Sequence, residues 1–98
     1  MQFKTLPKDV QDALLTVDLR KKLQTITEKH QLHLDQAGAL ENETLFIMLG
    51  LEHPKDYIRN VSRELRIDAE AAKKIAMDMN EQIFRPIRES LKKIHNIE

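Results

Sequence analysis

Apolar residues recur along this chain at spacings of three and four, the mark of helices that bury one face. Leu19, Leu23 and Ile26 form one such face, and Tyr57, Ile58, Val61 and Leu65 form another. The longest runs from Ala72 through Ile75, Ala76, Met79, Ile83, Phe84, Ile87 and Leu91 to Ile94. No segment alternates with period two, so no sheet is expected. The pattern predicts an all-α protein, a compact bundle of about five helices forming a single domain over residues 1–98.

Punctuating residues place the helix ends. Pro7 suits the first turn of a short helix through Val10, Leu14 and Leu15, where its missing N–H does no harm. Thr16 or Asp18 is placed to cap the next helix by accepting from a free backbone N–H, and that helix fades near His30. Leu32-His33-Leu34-Asp35 reads as an extended link, with Asp35 capping a third helix from about Gln36 to Leu49. The same kind of word returns as Leu65-Arg66-Ile67-Asp68, a common turn solution used twice rather than a true repeat. The end of the third helix, Phe46 to Leu51, is apolar all round and is expected to be the most buried point of the domain. Gly50 stands where a left-handed C-terminal cap is wanted, and Pro54 at the first position of a fourth helix. Asp68 caps the fifth helix, and Glu70 suits its positive end. The expected core is Phe46, Leu49, Ile58, Val61, Ile75, Met79 and Ile83.

Pro86 interrupts the last amphipathic run. Its ring removes one hydrogen bond and meets the carbonyl of Gln82, which predicts a kink near Ile83 to Arg85 or two helices meeting there. Two roles compete. The bend either wraps Phe84 and Ile87 around the core, or projects Ile87 to Ile94 outward with Leu91 and Ile94 toward a partner; kinks commonly curve a helix around its own core, which favours the first.

Composition narrows the function classes. Apolar residues make up 41% and charged residues 33% of the chain, a globular balance. The 16 Lys and Arg equal the 16 Asp and Glu, so nothing favours nonspecific attraction to nucleic acid or an anionic membrane. The absence of cysteine excludes disulfides and thiolate chemistry and fits a reducing compartment. No run approaches the ~20 apolar residues of a membrane span, and Met1-Gln-Phe-Lys-Thr lacks the apolar stretch of a signal peptide, so a cytoplasmic location is expected.

Little of the sequence suggests catalysis. His30, His33 and Asp35, with His53 as a spatial fourth, carry metal-ligand chemistry, but helix-end histidines beside a capping aspartate explain them more simply. No metal and no cofactor are expected. Glu41 and Glu43 fall on a polar face, where nothing nearby should shift their pKa values. Two glycines cannot build a Gly-rich phosphate loop, and no zincin motif or nucleophile elbow occurs. The chain reads as a non-enzyme.

Basic residues form stripes. Lys55, Arg59, Arg63 and Arg66 share one side of the fourth helix and are the candidate nucleic-acid-binding residues. Arg88, Lys92 and His95 do likewise near the C-terminus. Glu81, Arg85, Glu89 and Lys93 instead form an alternating ladder, the sign of a solvated face. With one tyrosine, three phenylalanines and no tryptophan, a base-stacking surface is not expected. Met48, Met77 and Met79 lie in or near apolar stretches and suit either core or an adaptable groove. The preferred reading is a non-enzymatic helical protein-interaction module. Its candidate partner-binding residues are Arg88, Leu91, Lys92 and Ile94, and its partner is an unknown protein or a second copy. The alternative is a small helical nucleic-acid-binding protein.

Three words carry a resemblance: Leu32-His33-Leu34-Asp35-Gln36, Leu49-Gly50-Leu51-Glu52-His53-Pro54-Lys55-Asp56, and the stretch from Asn80 to Leu91 around Phe84-Arg85-Pro86-Ile87. Over roughly residues 6–95 the chain resembles a group of short helical proteins predicted from genomes of candidate-phylum bacteria. The resemblance implies a free-standing bacterial domain and transfers no catalytic or ligand residue.

Overall fold

The computed structural model describes residues 6–95, apart from residue 16 and the side chains at 13, 15, 17 and 18. The chain forms α1 (Lys8–Leu15), α2 (Val17–Lys29), α3 (Leu34–Met48), α4 (Tyr57–Leu65), α5 (Ala69–Met79) and α6 (Arg88–Ile94). A wide π turn, Asn80–Phe84, and a 3-10 turn, Arg85–Ile87, join α5 to α6, so the two are ends of one long broken helix and five rods make up the bundle. No strand occurs among the described residues. The main packing surfaces lie between α3 and α4 and between α4 and α5, while α1 rests on α2 and α6.

Most of the sequence signals locate the ends correctly. Gly50 adopts φ 79°, and the Leu51 N–H closes α3 by donating to the Phe46 carbonyl at 2.8 Å. Pro54 opens a 3-10 turn, Pro54–Asp56, that leads into α4. Asp68 Oδ1 accepts from the Ala71 N–H at 2.7 Å and caps α5. Helices α2 and α4 close in the same manner: Gln31 (φ 53°) and Arg66 (φ 56°) are left-handed, and the Leu32 and Ile67 N–H groups reach back to Thr27 and Ser62. Pro7 stands just before α1 and supplies its carbonyl to the Val10 and Gln11 N–H groups. The expected caps Thr16 and Asp18 lie outside the described side chains.

The start of α3 differs from expectation. The helix begins at Leu34, two residues early, and Asp35 lies within its first turn. Gln36 supplies the cap instead: its Oε1 accepts from the His33 N–H at 2.9 Å, and its Nε2 donates to the Leu65 carbonyl at 2.9 Å. One side chain thus satisfies an end of α3 and an end of α4, groups that a helix cannot satisfy itself. Leu34 is consequently 91% exposed, whereas its counterpart Ile67 packs on the core. The two Leu-containing link words are therefore not structurally equivalent.

The core also departs from the expected set. Val61, Ile75, Met79 and Ile83 are buried, but Ile58 is 41% exposed, and Phe46 and Leu49 are only half-buried. Helix α4 buries Tyr57, Val61 and Leu65, and the polar Asn60 occupies the place expected for Ile58. In α3 the inward face is Leu40, Glu43, Thr44, Ile47 and Met48. That is a regular helical stripe with two polar positions inside it, which a search for apolar residues cannot detect.

The Pro86 segment settles the competition over the last helix. A regular helix turns about 100° per residue, so residues four apart drift by about 40°. Ile75, Met79, Ile83, Ile87 and Leu91 would then swing off the core, yet all five are buried. The π turn holds more residues per turn and sets the drift back, and it spans Gln82, whose carbonyl would meet the proline ring in a regular helix. The 3-10 turn that follows breaks the charged ladder. Glu81 and Arg85 pair at 3.1 Å, but Glu89 pairs with Lys92 at 3.6 Å rather than with Arg85 or Lys93. Helix α6 returns to the bundle: Ser90 Oγ donates to Asp9 in α1 at 2.6 Å, and His95 Nε2 donates to the Ile47 carbonyl at 2.7 Å. The bend wraps the core.

Removing the residues after Ser90 should therefore abolish cooperative unfolding in urea followed by circular dichroism, because Leu91 leaves the core. Met79→Ala should cost about 2–5 kcal/mol in the same measurement, the transfer term plus a cavity. Leu49→Ala, at a half-buried position, should cost less than about 2 kcal/mol.

Candidate functional site

The broken helix leaves a gap on its α4 side. Asn80 and Phe84, the two ends of the π turn, face Pro54, Tyr57 and Ile58 across an open cleft of about 320 Å3, and Arg88, Leu91 and Lys92 of α6 continue the wall. Ile47, Tyr57, Ala76 and Leu91 are buried and form the floor. Phe84 packs edge-on against Tyr57, with ring centroids 5.3 Å apart at 84°, a favoured aromatic geometry. Ile58, displaced from the core, is exposed at the mouth. The lining is predominantly apolar, and Arg88 and Lys92, one helical turn apart, set two cations on it.

Tyr57 brings a hydroxyl to the floor, but it is committed. The Thr44 hydroxyl donates to the Leu40 carbonyl at 2.8 Å, so its oxygen accepts from the Tyr57 O–H at 2.8 Å. Burial pushes the phenol well above its ordinary pKa. Tyr57 is accordingly a neutral donor fastening α4 to α3, not a reactive group. The described lining of the cleft holds no carboxylate, imidazole or aliphatic hydroxyl that could serve as base or nucleophile.

The residues expected to meet a partner divide. Arg88 and Lys92 stand at the cleft, but Leu91 lies in its floor at 7% exposure, and Ile94 packs half-buried against the core. Both apolar members therefore serve the fold, because returning α6 to the bundle uses the face that they occupy. The cleft's apolar contacts come instead from Ile58 and Phe84, which the helical pattern had assigned to the core. Phe84 carries a signal in hindsight: it is adjacent to Ile83, and two neighbours 100° apart cannot both face inward equally.

Lys55, Arg59, Arg63 and Arg66 are all exposed, as a basic stripe requires. Acids accompany them: Arg59 pairs with Asp56 at 3.1 Å and Arg63 with Glu64 at 3.2 Å. The stripe is mixed in sign.

The histidines separate in space. His30 Nε2 donates to Asp78 Oδ2 at 2.6 Å, and Lys29 Nζ reaches the same oxygen at 3.0 Å. His33 stands at the start of α3, and His53 packs edge-on against His95 with centroids 5.5 Å apart. Among the described residues no three His, Asp or Glu side chains gather as metal ligands. Glu41 is exposed as expected, but Glu43 is not on a polar face: it is 3% exposed between α3 and α4. Burial, then the hydrogen bond and charge of Glu52 and the charge of Glu64, push it up to about 7, with Arg63 opposing. The expectation of a solvated, unshifted carboxylate is corrected by the tertiary contact.

No family model matches the chain, and no curated protein or solved structure shows significant similarity to it. No helix among the described residues is long and apolar enough to cross a membrane.

The Asp78 cluster makes a pH prediction. The hydrogen bond from His30, then Lys29, hold the Asp78 carboxyl below the ordinary aspartate range against some burial. A lowered folded-state pKa contributes stability above the ordinary aspartate range and loses it as pH falls through the lowered value. Thermal unfolding between pH 2.5 and 6 should therefore show a shallower acid loss in D78N than in the wild type, and a lower melting temperature for D78N at pH 6.

Proposed function

We propose that this protein is a non-enzymatic helical interaction module whose cleft receives the apolar face of a partner helix that also carries acidic residues. The observation that carries the reading is the cleft itself: an apolar trough with Ile58 and Phe84 at its walls and Arg88 and Lys92 on one side. Helix-in-groove recognition needs this combination, apolar room for residues spaced three and four apart and charges that choose the register. At about 320 Å3 the cleft is at the small end of ligand pockets, and its open form suits side chains presented from a helix better than a small molecule enclosed whole. The Lys92–Glu89 pair is a surface contact at 3.6 Å, and such pairs contribute about 0–1 kcal/mol, so Lys92 exchanges readily to a partner carboxylate.

The nucleic-acid reading is less well supported. Its stripe is neutralised in part by Asp56 and Glu64, and the chain's net charge is zero.

Fluorescence anisotropy of the full chain with labelled amphipathic helical peptides, identical in their apolar residues but flanked by Glu, Gln or Lys, tests the proposal. The Glu-flanked peptide should bind most tightly. The double charge reversal R88E/K92E should weaken it at least about tenfold, since each 1.4 kcal/mol is a factor of ten, and leave the melting temperature nearly unchanged because Arg88 is exposed and Lys92 half-exposed. Ile58→Asp should abolish binding. If all three peptides bind equally, or none binds while duplex DNA binds with steep salt dependence, the cleft is not a site for an acidic helix.

A further inference from the structure

Glu43 lies on the face of α3 that meets α4, 3% exposed, and its Oε1 is buried without a hydrogen-bond partner. An ionised carboxylate is not held in such a place without a cation or several donors. What faces Glu43 is instead a second acid. Glu52, from the link between α3 and α4, acts on it by hydrogen bond and charge, and Glu52 Oε2 accepts from the Asn60 amide at 3.0 Å. Asn60 is itself buried, on α4. The other charged groups acting on Glu43 are Glu64 and Arg63, both from α4. The Arg63 guanidinium is engaged with Glu64 at 3.2 Å and its side chain is 60% exposed, so it does not enter the seam. Tyr57 stands nearby on α4 as a neutral phenol whose proton is committed to Thr44.

We infer that Glu43 and Glu52 hold one proton between them, as an O–H···O contact, and that this proton fastens the link Gly50–His53 to α3. Among the described residues no cation enters the seam to offset two charges, and neighbouring like charges cannot both ionise cheaply. When the proton leaves to solvent, something must separate. Helices α3 and α4 are held by Leu40, Ile47, Met48, Val61 and Leu65, all at most 1% exposed. The link has no such apolar anchor: Leu51 is 60% exposed, and its tie to α3 is the pair of Leu51 and Glu52 N–H groups that donate to the Phe46 carbonyl. Glu52 is therefore the group that moves away, and it takes with it the acceptor of the buried Asn60 amide. Because the link runs directly into Pro54, its release loosens one wall of the cleft. That last consequence rests on the docking reading of the cleft; the fastening of the link does not.

The sign follows from the raised value. The folded state binds this proton more tightly than the unfolded chain, so its stabilising contribution is complete below about 4.5 and is lost as pH rises through about 7. The device works near neutrality.

Urea unfolding of the wild type, E43Q and E52Q between pH 5 and 8.5, with amide hydrogen exchange at residues 50–56 as a second readout, tests it. The wild-type folding constant should fall by about tenfold or more across this range, and exchange in the link should accelerate beyond the intrinsic base-catalysed rate. E43Q, which keeps the shape and the hydrogen-bonding groups but cannot ionise, should show neither change. Every ionisable group other than Glu43 remains in E43Q, so a fall there as large as in the wild type overturns the inference. If E43Q does not fold, E52Q decides: removing the neighbouring charge should lessen the fall, and an unchanged fall overturns the inference as well.

Discussion

The structure depends on how one helix keeps a single face inward while accommodating Pro86. Ile75, Met79, Ile83, Ile87 and Leu91 are spaced by four throughout, which a regular helix would carry around its own axis and away from the core. Proline adds a missing donor and a steric conflict with Gln82. The π turn at Asn80–Phe84 answers both demands. It widens the helix where the ring needs space and holds back the rotation of the apolar stripe, so that α6 lies on α1 and α3 rather than in solvent. Wide turns of this kind often accompany functional sites, and here the widened segment forms one side of the apolar cleft.

The cleft follows from that same accommodation. Phe84 ends the wide turn and leans on Tyr57, half-buried at the edge of the core, and Ile58 stays exposed at the mouth of the cleft. An exposed isoleucine and a half-exposed phenylalanine on a domain of zero net charge represent apolar surface that burial within the monomer does not use. Arg88 and Lys92 give that surface a sign.

A second constraint runs between α3 and α4, the largest helix contact together with that of α4 and α5. It is not purely apolar. Thr44 and Tyr57 form a closed pair whose hydroxyls are both satisfied, while Glu43, one position away, is left with an unpartnered oxygen. The contrast is informative because the two residues share the same helix face and the same depth. A satisfied polar pair fixes the register of two helices at little cost, and an unsatisfied carboxyl makes the same contact dependent on its protonation.

How much of this was legible beforehand follows from what periodicity encodes. The helical class, the left-handed closure at Gly50, the cap at Asp68, the start at Pro54 and the disturbance at Pro86 were all readable, because each rests on backbone chemistry local to a few residues. Within a helix the spacing of apolar residues also gives the relative phase of its faces. It does not give the absolute rotation of the helix about its axis, which is set by the neighbours it packs against. That rotation turned Asn60 inward and Ile58 outward, placed Glu43 and Thr44 in the buried face of α3, and took Leu91 from a candidate contact to the core. It also left Leu34 in water, since Gln36 reached across to Leu65 and started α3 two residues early. The sequence by itself determined which segments are helical and where they end; only the tertiary structure decided which side of each helix is inside, because that choice belongs to pairs of helices and not to either one.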